Sequence, residues 1–178
     1  MKYLLSILLL QLLALPGISW GGALMSKADA LKLAFPAAER IETINLFLTE
    51  AQMAQVKRRS GVTPDSALYT FYVGKKGQEI TGYAAIEAAT VRTLPETVMV
   101  VLNPDGSVRF TEILAFFEPS EYMPSKRWLD QFRQIRLSTA LRVGADIQGI
   151  SGATLSAQAI TRQVRKTTAL CEILLTGD

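Results

Sequence analysis

The order of apolar and polar residues along the chain predicts strands grouped between helices. Residues 26–35 have the pattern of a capped helix that Pro36 closes. In residues 49–61, Thr49 can cap a second helix, with Gln52 as its partner three residues on. The segment between them, residues 41–48, is short and apolar, so we expect it to be extended. This part of the chain therefore predicts a helix, a strand and a second helix.

Four further segments are rich in β-branched and aromatic residues, namely 68–73, 79–89, 97–102 and 108–117. The connections between them are short, whereas parallel neighbours need long crossovers, so an antiparallel meander is expected. Gly82 is expected to mark a bulge or a point of close approach in the second of these strands. Helices must cover the sheet. The sequence therefore predicts an α+β fold with an antiparallel sheet of about four to six strands.

The longest helical pattern lies near the C-terminus. Its apolar positions recur every three or four residues, at Ala157, Ile160, Val164, Cys171 and Leu174. Polar residues are expected on the opposite side, at Gln158, Arg162, Gln163, Arg165, Lys166 and Glu172. This pattern predicts an amphipathic helix that buries one face and leaves the other in solvent.

The residues directly before this helix are small or carry hydroxyl groups, in the order Gly149-Ile150-Ser151-Gly152-Ala153-Thr154-Leu155-Ser156. The first N–H groups of a helix have no partner within it, and the helix dipole adds partial positive charge there. A phosphate group is well placed at such a turn, and glycine lets the backbone approach a ligand closely. A simpler interpretation is that the hydroxyl groups only cap the helix.

The segment Ser151-Gly152-Ala153-Thr154-Leu155-Ser156 resembles the flavin-attachment sequence of the FMN-binding domain family. That family includes extracytoplasmic flavoprotein subunits of ion-pumping NADH:quinone and ferredoxin:NAD oxidoreductases. In it, the last Thr of Ser/Thr-Gly-Ala-Thr carries FMN through a phosphoester bond, which an FAD:protein FMN transferase installs. The resemblance implies covalent FMN on Thr154, with the other five residues forming its binding turn. Gln148 stands where the family usually has Asp.

Two aromatic residues, Tyr122 and Trp128, are further candidates for contact with a flavin ring. Both follow the last predicted strand, at the stage of the chain where the family has a Glu-Thr-Pro-Gly loop, of which Glu118-Pro119 is only a partial match. Residues 126–132 are expected to form a short helix. The alternative for Trp128 is that it anchors this helix on the sheet together with Phe132.

The N-terminal residues have the organisation of a secretory signal peptide. Lys2 precedes an apolar run from Leu4 to Leu15, and small residues follow as possible cleavage sites. The run is short for a transmembrane helix, which needs about 20 residues, so an uncleaved anchor is the alternative. We therefore divide the chain into a signal peptide, residues 1–23, and one FMN-binding domain, residues 24–178. The expected location is periplasmic or otherwise extracytoplasmic, with tethering to the inner membrane if the anchor is retained.

The amino-acid composition excludes several kinds of catalytic and metal site. The 178 residues include no His and one Cys, Cys171, which excludes an intramolecular disulfide, His-based triads and His metal sites. No carboxylate cluster has the spacing of a metal site, and we expect Cys171 to be a buried structural thiol. The net charge of +3 falls to +2 once Lys2 leaves with the signal peptide, so nucleic acid is not an expected partner.

Together these features predict an extracytoplasmic electron-transfer flavoprotein. Its partners would be the FMN transferase and redox proteins, including membrane-bound ones, and no set of acid, base or nucleophile indicates substrate turnover by the protein alone. Two alternatives remain open. The first is a non-redox periplasmic binding or assembly module that kept the fold without flavin, which Gln148 favours. The second is a membrane-tethered subunit of a respiratory complex.

Overall fold

The computed structural model describes residues 22–177, so almost all of the predicted signal peptide, residues 1–23, lies outside the described residues. The α-helices are α1 (Lys27–Ala34), α2 (Glu50–Ser60), α3 (Lys126–Leu129) and α4 (Thr154–Cys171). The strands are β1 (Arg40–Phe47), β2 (Leu68–Lys76), β3 (Glu79–Thr90), β4 (Pro95–Leu102) and β5 (Val108–Phe116). Short 3-10 turns cover Ser120–Tyr122 and Asp130–Phe132, and a π-helical turn, Glu172–Thr176, follows α4.

The five strands form one antiparallel sheet in the order β1-β2-β3-β4-β5. Every strand therefore pairs with its neighbour in sequence, because the short connections leave no length for a crossover. The predicted α+β fold with an antiparallel meander is confirmed. The outer edge of β5 is partly covered, since Ala23 forms an antiparallel bridge with Ala115.

The sheet has a bulge where the sequence predicted one. Gly74 of β2 pairs with Gly82 of β3, whereas the next residue of β2, Lys75, pairs with Ile80. Thr81 therefore has no partner on β2 and is the extra residue of the bulge. Gly82 has a φ of 149°, and a Cβ at this position would lie 2.5 Å from the carbonyl oxygen of Leu102. Both the backbone conformation and the close approach of β4 therefore require glycine here.

The first two helices begin with the predicted caps. The Ser26 hydroxyl accepts a hydrogen bond from the N–H of Asp29. In α2, Thr49 Oγ1 accepts from the N–H of Gln52 at 3.3 Å, and Gln52 Oε1 accepts from the N–H of Thr49 at 2.9 Å. This reciprocal pair is a capping box, so the starts of α1 and α2 are fixed by local sequence.

Apolar side chains pack on both faces of the sheet. The larger core lies between the sheet, α2 and α4, and its fully buried members include Phe71, Phe116, Phe132, Leu141, Ile147 and Ile160. A smaller core, formed by Ala30, Ala34, Phe35, Tyr72, Met99 and Leu114, packs α1 against the opposite face. Successive residues of a strand point to opposite faces, so these two cores explain why the central strands are apolar throughout.

The helix α4 is buried on more sides than its pattern predicted. Its apolar residues face the core, but Gln163 and Lys166 are buried as well, and so is Glu172 in the π-helical turn that follows. The expectation of a solvated side is wrong for these three residues, because α4 contacts α2 as well as β3 and β4. Gln158 and Arg162 remain exposed, so the solvated side of α4 is narrower than its sequence indicates.

The buried charges on α4 and on the π-helical turn that follows it are paired. Lys166 Nζ lies 2.9 Å from Asp65 Oδ1 and 3.0 Å from Glu87 Oε2. Burial alone would lower the pKa of Lys166, but these two carboxylates outweigh it and raise the pKa. Glu172 Oε2 lies 2.8 Å from Arg59 Nη2. Only Lys166 and Glu87 are both largely buried, so removing one of these two would leave a buried charge without its partner and destabilise the fold.

Cys171 lies at the end of α4 and is fully buried. Burial, with a further contribution from the charge of Glu172, raises the pKa of its thiol to about 12. Because the thiolate is the reactive form, this thiol is inert at neutral pH. The prediction of a buried structural thiol is confirmed.

A second buried polar contact joins α4 to the sheet. Gln163 Nε2 donates to Glu96 Oε1 at 3.3 Å, whereas Glu96 Oε2 and Gln163 Oε1 have no hydrogen-bond partner among the described residues. Burial raises the pKa of Glu96 to about 8, against a smaller opposing effect of Arg162. A neutral carboxylic acid has an O–H to donate, so protonated Glu96 can supply a hydrogen bond to the amide oxygen of Gln163.

Glu96 is therefore expected to make the protein less stable as the pH rises. Its pKa is raised in the folded state, so the folded protein binds the extra proton between pH 4.5 and about 8. The free energy of unfolding should fall by roughly 3–5 kcal/mol across that window because of this one group. Above the window it should change no further. Glu96→Gln should remove most of the decline, because the new side-chain amide stays neutral and can still donate to Gln163.

Urea denaturation at pH 5, 7 and 9 measures this effect on the free energy of unfolding. Glu121→Gln is the matched control, since Glu121 is exposed and its replacement changes the same formal charge. The explanation fails if Glu96→Gln and wild type decline in parallel between pH 5 and 9.

Candidate functional site

The predicted attachment turn lies immediately before α4, which begins at Thr154. Ser151, Gly152, Thr154 and Leu155 are exposed, whereas Ala153 and Ser156 are buried. Gly152 has a φ of 81°, in the left-handed region that glycine adopts at little cost. The turn opens the last helix as predicted, and the Thr154 hydroxyl stands at the first helical residue, on the surface.

The first backbone N–H groups of α4 are available to a ligand. No side chain caps the helix, whose N-cap residue is Ala153. The N–H of Ala157 donates to the carbonyl of Ala153 at 3.1 Å, and the N–H groups of Thr154, Leu155 and Ser156 have no partner within residues 22–177. The turn's hydroxyl groups therefore do not cap this helix, and the three N–H groups keep their partial positive charge.

A pocket of about 260 Å³ opens beside Thr154. Three segments line it, from the β3–β4 connection, the turn after β5 and the start of α4: Val91, Arg92, Glu118, Tyr122, Gly152, Ala153, Thr154, Leu155 and Ser156. Most of the predicted site residues therefore meet at one place. Ser151 lies next to this group in sequence but does not line the pocket.

One carboxylate holds the β3–β4 connection against the pocket. Glu118 Oε1 accepts hydrogen bonds from the N–H groups of Arg92, Thr93 and Leu94, at 3.0, 2.8 and 2.9 Å. The bond from Leu94, followed by those from Thr93 and Arg92, lowers the pKa of Glu118 below its ordinary value of 4.5. Glu118 is therefore ionised at neutral pH, and the three N–H dipoles balance its charge while fixing one wall of the site.

The same wall brings a cation and an aromatic ring together. The guanidinium carbon of Arg92 lies 5.8 Å from the ring centre of Tyr122, a cation–π distance. Arg92 forms no ion pair within the described residues. The pocket therefore contains one guanidinium group together with the ionised carboxylate of Glu118, whose pKa the charge of Arg92 also lowers.

Trp128 lies apart from this pocket. Its ring packs edge-on against Phe132, with 5.3 Å between ring centroids, and Nε1 donates to the carbonyl of Gln148 at 2.6 Å. It lines a different cavity, with Gln131 and Gln148. The N–H of Gln148 donates to Gln131 Oε1 at 2.8 Å, so α3 and the 3-10 turn after it together hold the segment that leads into the attachment turn. This packing agrees with the alternative in which Trp128, together with Phe132, anchors the short helix on the sheet.

Sequence reasoning missed two lining residues, Val91 and Arg92, and gave Glu118 no role. A topological signal could have found them. In an antiparallel meander the connection before β4 and the residues after β5 lie at the same end of the sheet, so a charged pair split between them is brought together. The apolar spacing of α4 predicts which face of the helix packs on the sheet, but it does not predict which end of the helix meets these two segments.

Within residues 22–177 no group of three or more His, Cys, Asp and Glu residues is arranged to hold a metal ion. None of the helices in that range is both long enough and apolar enough to cross a membrane. Comparison with models of protein families gives no match for this chain. Comparison with curated protein sequences also gives no match.

The backbone of the attachment turn gives a direct test of why Gly152 is glycine. Gly152→Ala should lower the free energy of unfolding by about 1 kcal/mol, because its φ of 81° strains any side-chain-bearing residue. No atom lies within 4 Å of the place a Cβ would take, so crowding adds nothing to this cost.

Gly149→Ala is the matched control. Its φ is outside the positive range, and an added Cβ would make only an ordinary contact, 3.5 Å from Val143 Cγ1. Urea denaturation of both variants should therefore separate them. An equal loss in the two variants would show that the left-handed conformation of Gly152 is not the cause.

Proposed function

We propose that this protein is an extracytoplasmic electron-transfer protein that carries one FMN covalently, through a phosphoester to Thr154. One observation carries the proposal: the exposed Thr154 hydroxyl, in a motif that resembles a flavin-attachment sequence, stands at an uncapped helix start beside a pocket. The N–H groups around it have no internal partner, which is the arrangement an oxyanion requires.

The surroundings of Thr154 suit a phosphodiester. Its negative charge would be stabilised by the N–H groups of Leu155 and Ser156, by the dipole of α4 and by the guanidinium of Arg92. Glu118 is the only carboxylate among the residues that line the pocket, and its Oε1 is occupied by three backbone N–H groups. Because the charge of Glu118 is stabilised in this way, the free N–H groups at the start of α4 are the main attraction for an anion.

The pocket also has apolar surface for part of a flavin. Val91, Tyr122 and Leu155 contribute aromatic and aliphatic groups, and Leu155 is 47% exposed. Its volume of about 260 Å³ is below the roughly 300–1,000 Å³ that encloses a drug-sized ligand. It would hold the phosphate and part of the chain that follows, and the ring would extend over the surface, open to partner proteins.

FMN, when bound, exchanges one or two electrons, so the domain would link partners that differ in the number of electrons they transfer. The chain's own residues bind the phosphate, orient the attachment and leave the ring accessible. A covalent bond has a clear use outside the cytoplasm, where a lost flavin is not replaced. The partners would be an FAD:protein FMN transferase, which loads the domain, and redox proteins, including membrane-bound ones.

Gln148, which departs from the family's usual Asp, does not alter the turn itself. Its backbone N–H and carbonyl are held by Gln131 and Trp128, and its side chain is exposed without a recorded partner in the described residues. The departure therefore changes the surface that a transferase would meet. If that surface prevents loading, the alternative of a non-redox module with this fold applies.

The covalent attachment is tested by co-expressing the protein with a flavin transferase and measuring flavin fluorescence after denaturation and washing. Wild type should keep about one flavin per chain. Thr154→Val should keep none, because it removes the hydroxyl and preserves the shape of the side chain. Its stability should change by less than about 0.5 kcal/mol, since the residue is exposed.

Ser120→Ala is the control, since it removes an exposed hydroxyl outside the turn and should leave loading unchanged. Thermal melts of all three proteins establish that they are folded. Flavin that washes out of denatured wild type, or that remains on Thr154→Val, would refute attachment at this residue.

A further inference from the structure

A second cavity, of about 370 Å³, lies along the exposed side of α4 and is lined by three arginines. Arg142 comes from the loop before the helix, and Arg162 and Arg165 come from the helix itself. Polar side chains, including Thr139 and Gln158, complete much of the wall. None of its lining residues is an Asp or a Glu. We call this cavity the arginine cleft.

The guanidinium of Arg165 is fixed in position. Its Nε donates to the carbonyl of Ser60 and its Nη1 to the carbonyl of Leu141, both at 2.5 Å. Gly61 allows this approach, because a Cβ there would lie 3.2 Å from Arg165 Nη2. The arginine is therefore held between the end of α2 and the loop before α4. Both acceptors are neutral backbone oxygens, so its positive charge is not cancelled.

The three positive charges of the arginine cleft have no balancing carboxylate. Arg142, Arg162 and Arg165 take part in none of the ion pairs found within residues 22–177. Burial, and then the charge of Arg142, lowers the pKa of Arg165, so the two guanidinium groups repel each other. Glu96, which interacts with Arg162, is buried and does not line the cleft.

We propose that the arginine cleft is a binding site for a small phosphate-bearing molecule. Guanidinium groups bind phosphate through paired, charge-assisted hydrogen bonds, and an anion would relieve the repulsion between Arg142 and Arg165. The volume of about 370 Å³ is within the range of small-ligand sites and leaves room beyond the phosphate for an organic group. The lining residues are all different from those of the pocket beside Thr154.

The arginine cleft and the attachment residue share one side of α4. Thr154, Gln158 and Arg162 follow one another at intervals of four residues, so they form a row along the helix surface. The helical rise places Arg162 about 12 Å from Thr154 along the axis. A phosphate-bearing molecule in the cleft would therefore lie next to any group attached at Thr154, although the site itself does not depend on that attachment.

The test is titration calorimetry on the full chain produced without a flavin transferase, so that no phosphate is attached at Thr154. The probes are inorganic phosphate and glycerol 3-phosphate, at constant ionic strength and pH 7. Both should bind saturably, and the arginine variants identify which part of the binding belongs to the cleft. Arg142→Gln and Arg162→Gln should each weaken binding at least tenfold, and because both residues are exposed, these variants should stay folded in thermal melts.

Arg127→Gln is the matched control, since Arg127 is an exposed arginine on α3 that does not line the cleft. It should bind both probes like wild type. Heat changes that do not saturate, or equal weakening by Arg127→Gln, would overturn the site. Succinate, a dicarboxylate, should bind at least tenfold more weakly than phosphate, and equal binding would overturn the assignment to phosphate. Because these proteins carry no flavin, the outcome is independent of whether Thr154 can be loaded.

Discussion

The packing of α4 against the sheet is the interaction on which the core and both candidate sites depend. Ile160 and Val164 are fully buried in the larger core, and the helix also contacts α2. Because the helix is rigid, this packing decides where its first residue, Thr154, meets the β3–β4 connection. It also decides which arginines remain on the open side. A shift of α4 by one turn would separate Thr154 from Arg92 and Tyr122.

Buried polar contacts fix this packing in one register. Gln163 meets Glu96 of β4, Lys166 meets Glu87 of β3 and Asp65, and each contact is satisfied only if the helix sits at the observed height. Apolar contacts alone tolerate sliding more readily, because they have no directional requirement. The helix is thus buried by its apolar residues, and the polar residues determine the register in which it is buried.

The strands, caps and helix start were predictable because each has a local cause. The capping box at Thr49, the bulge at Gly82 and the turn at Gly152 follow from residues within a few positions of one another. The burial of Gln163 and Lys166 was not predictable, since it depends on partners about 70 to 100 residues away in the chain. The same holds for the site. The motif around Thr154 can be recognised in the sequence, whereas Arg92 reaches the pocket only because Glu118 and the sheet topology place it there.

The most direct test of a flavin on Thr154 is the mass of one peptide. Trypsin should release residues 143–162, which contain the whole turn, as a single fragment of the protein co-expressed with a flavin transferase. If Thr154 is the attachment residue, this fragment should carry the added mass of one FMN less one water, and its fragment ions should place the addition on Thr154. An unmodified peptide in a fully digested sample, or an addition on Ser151 or Ser156, would contradict the proposal.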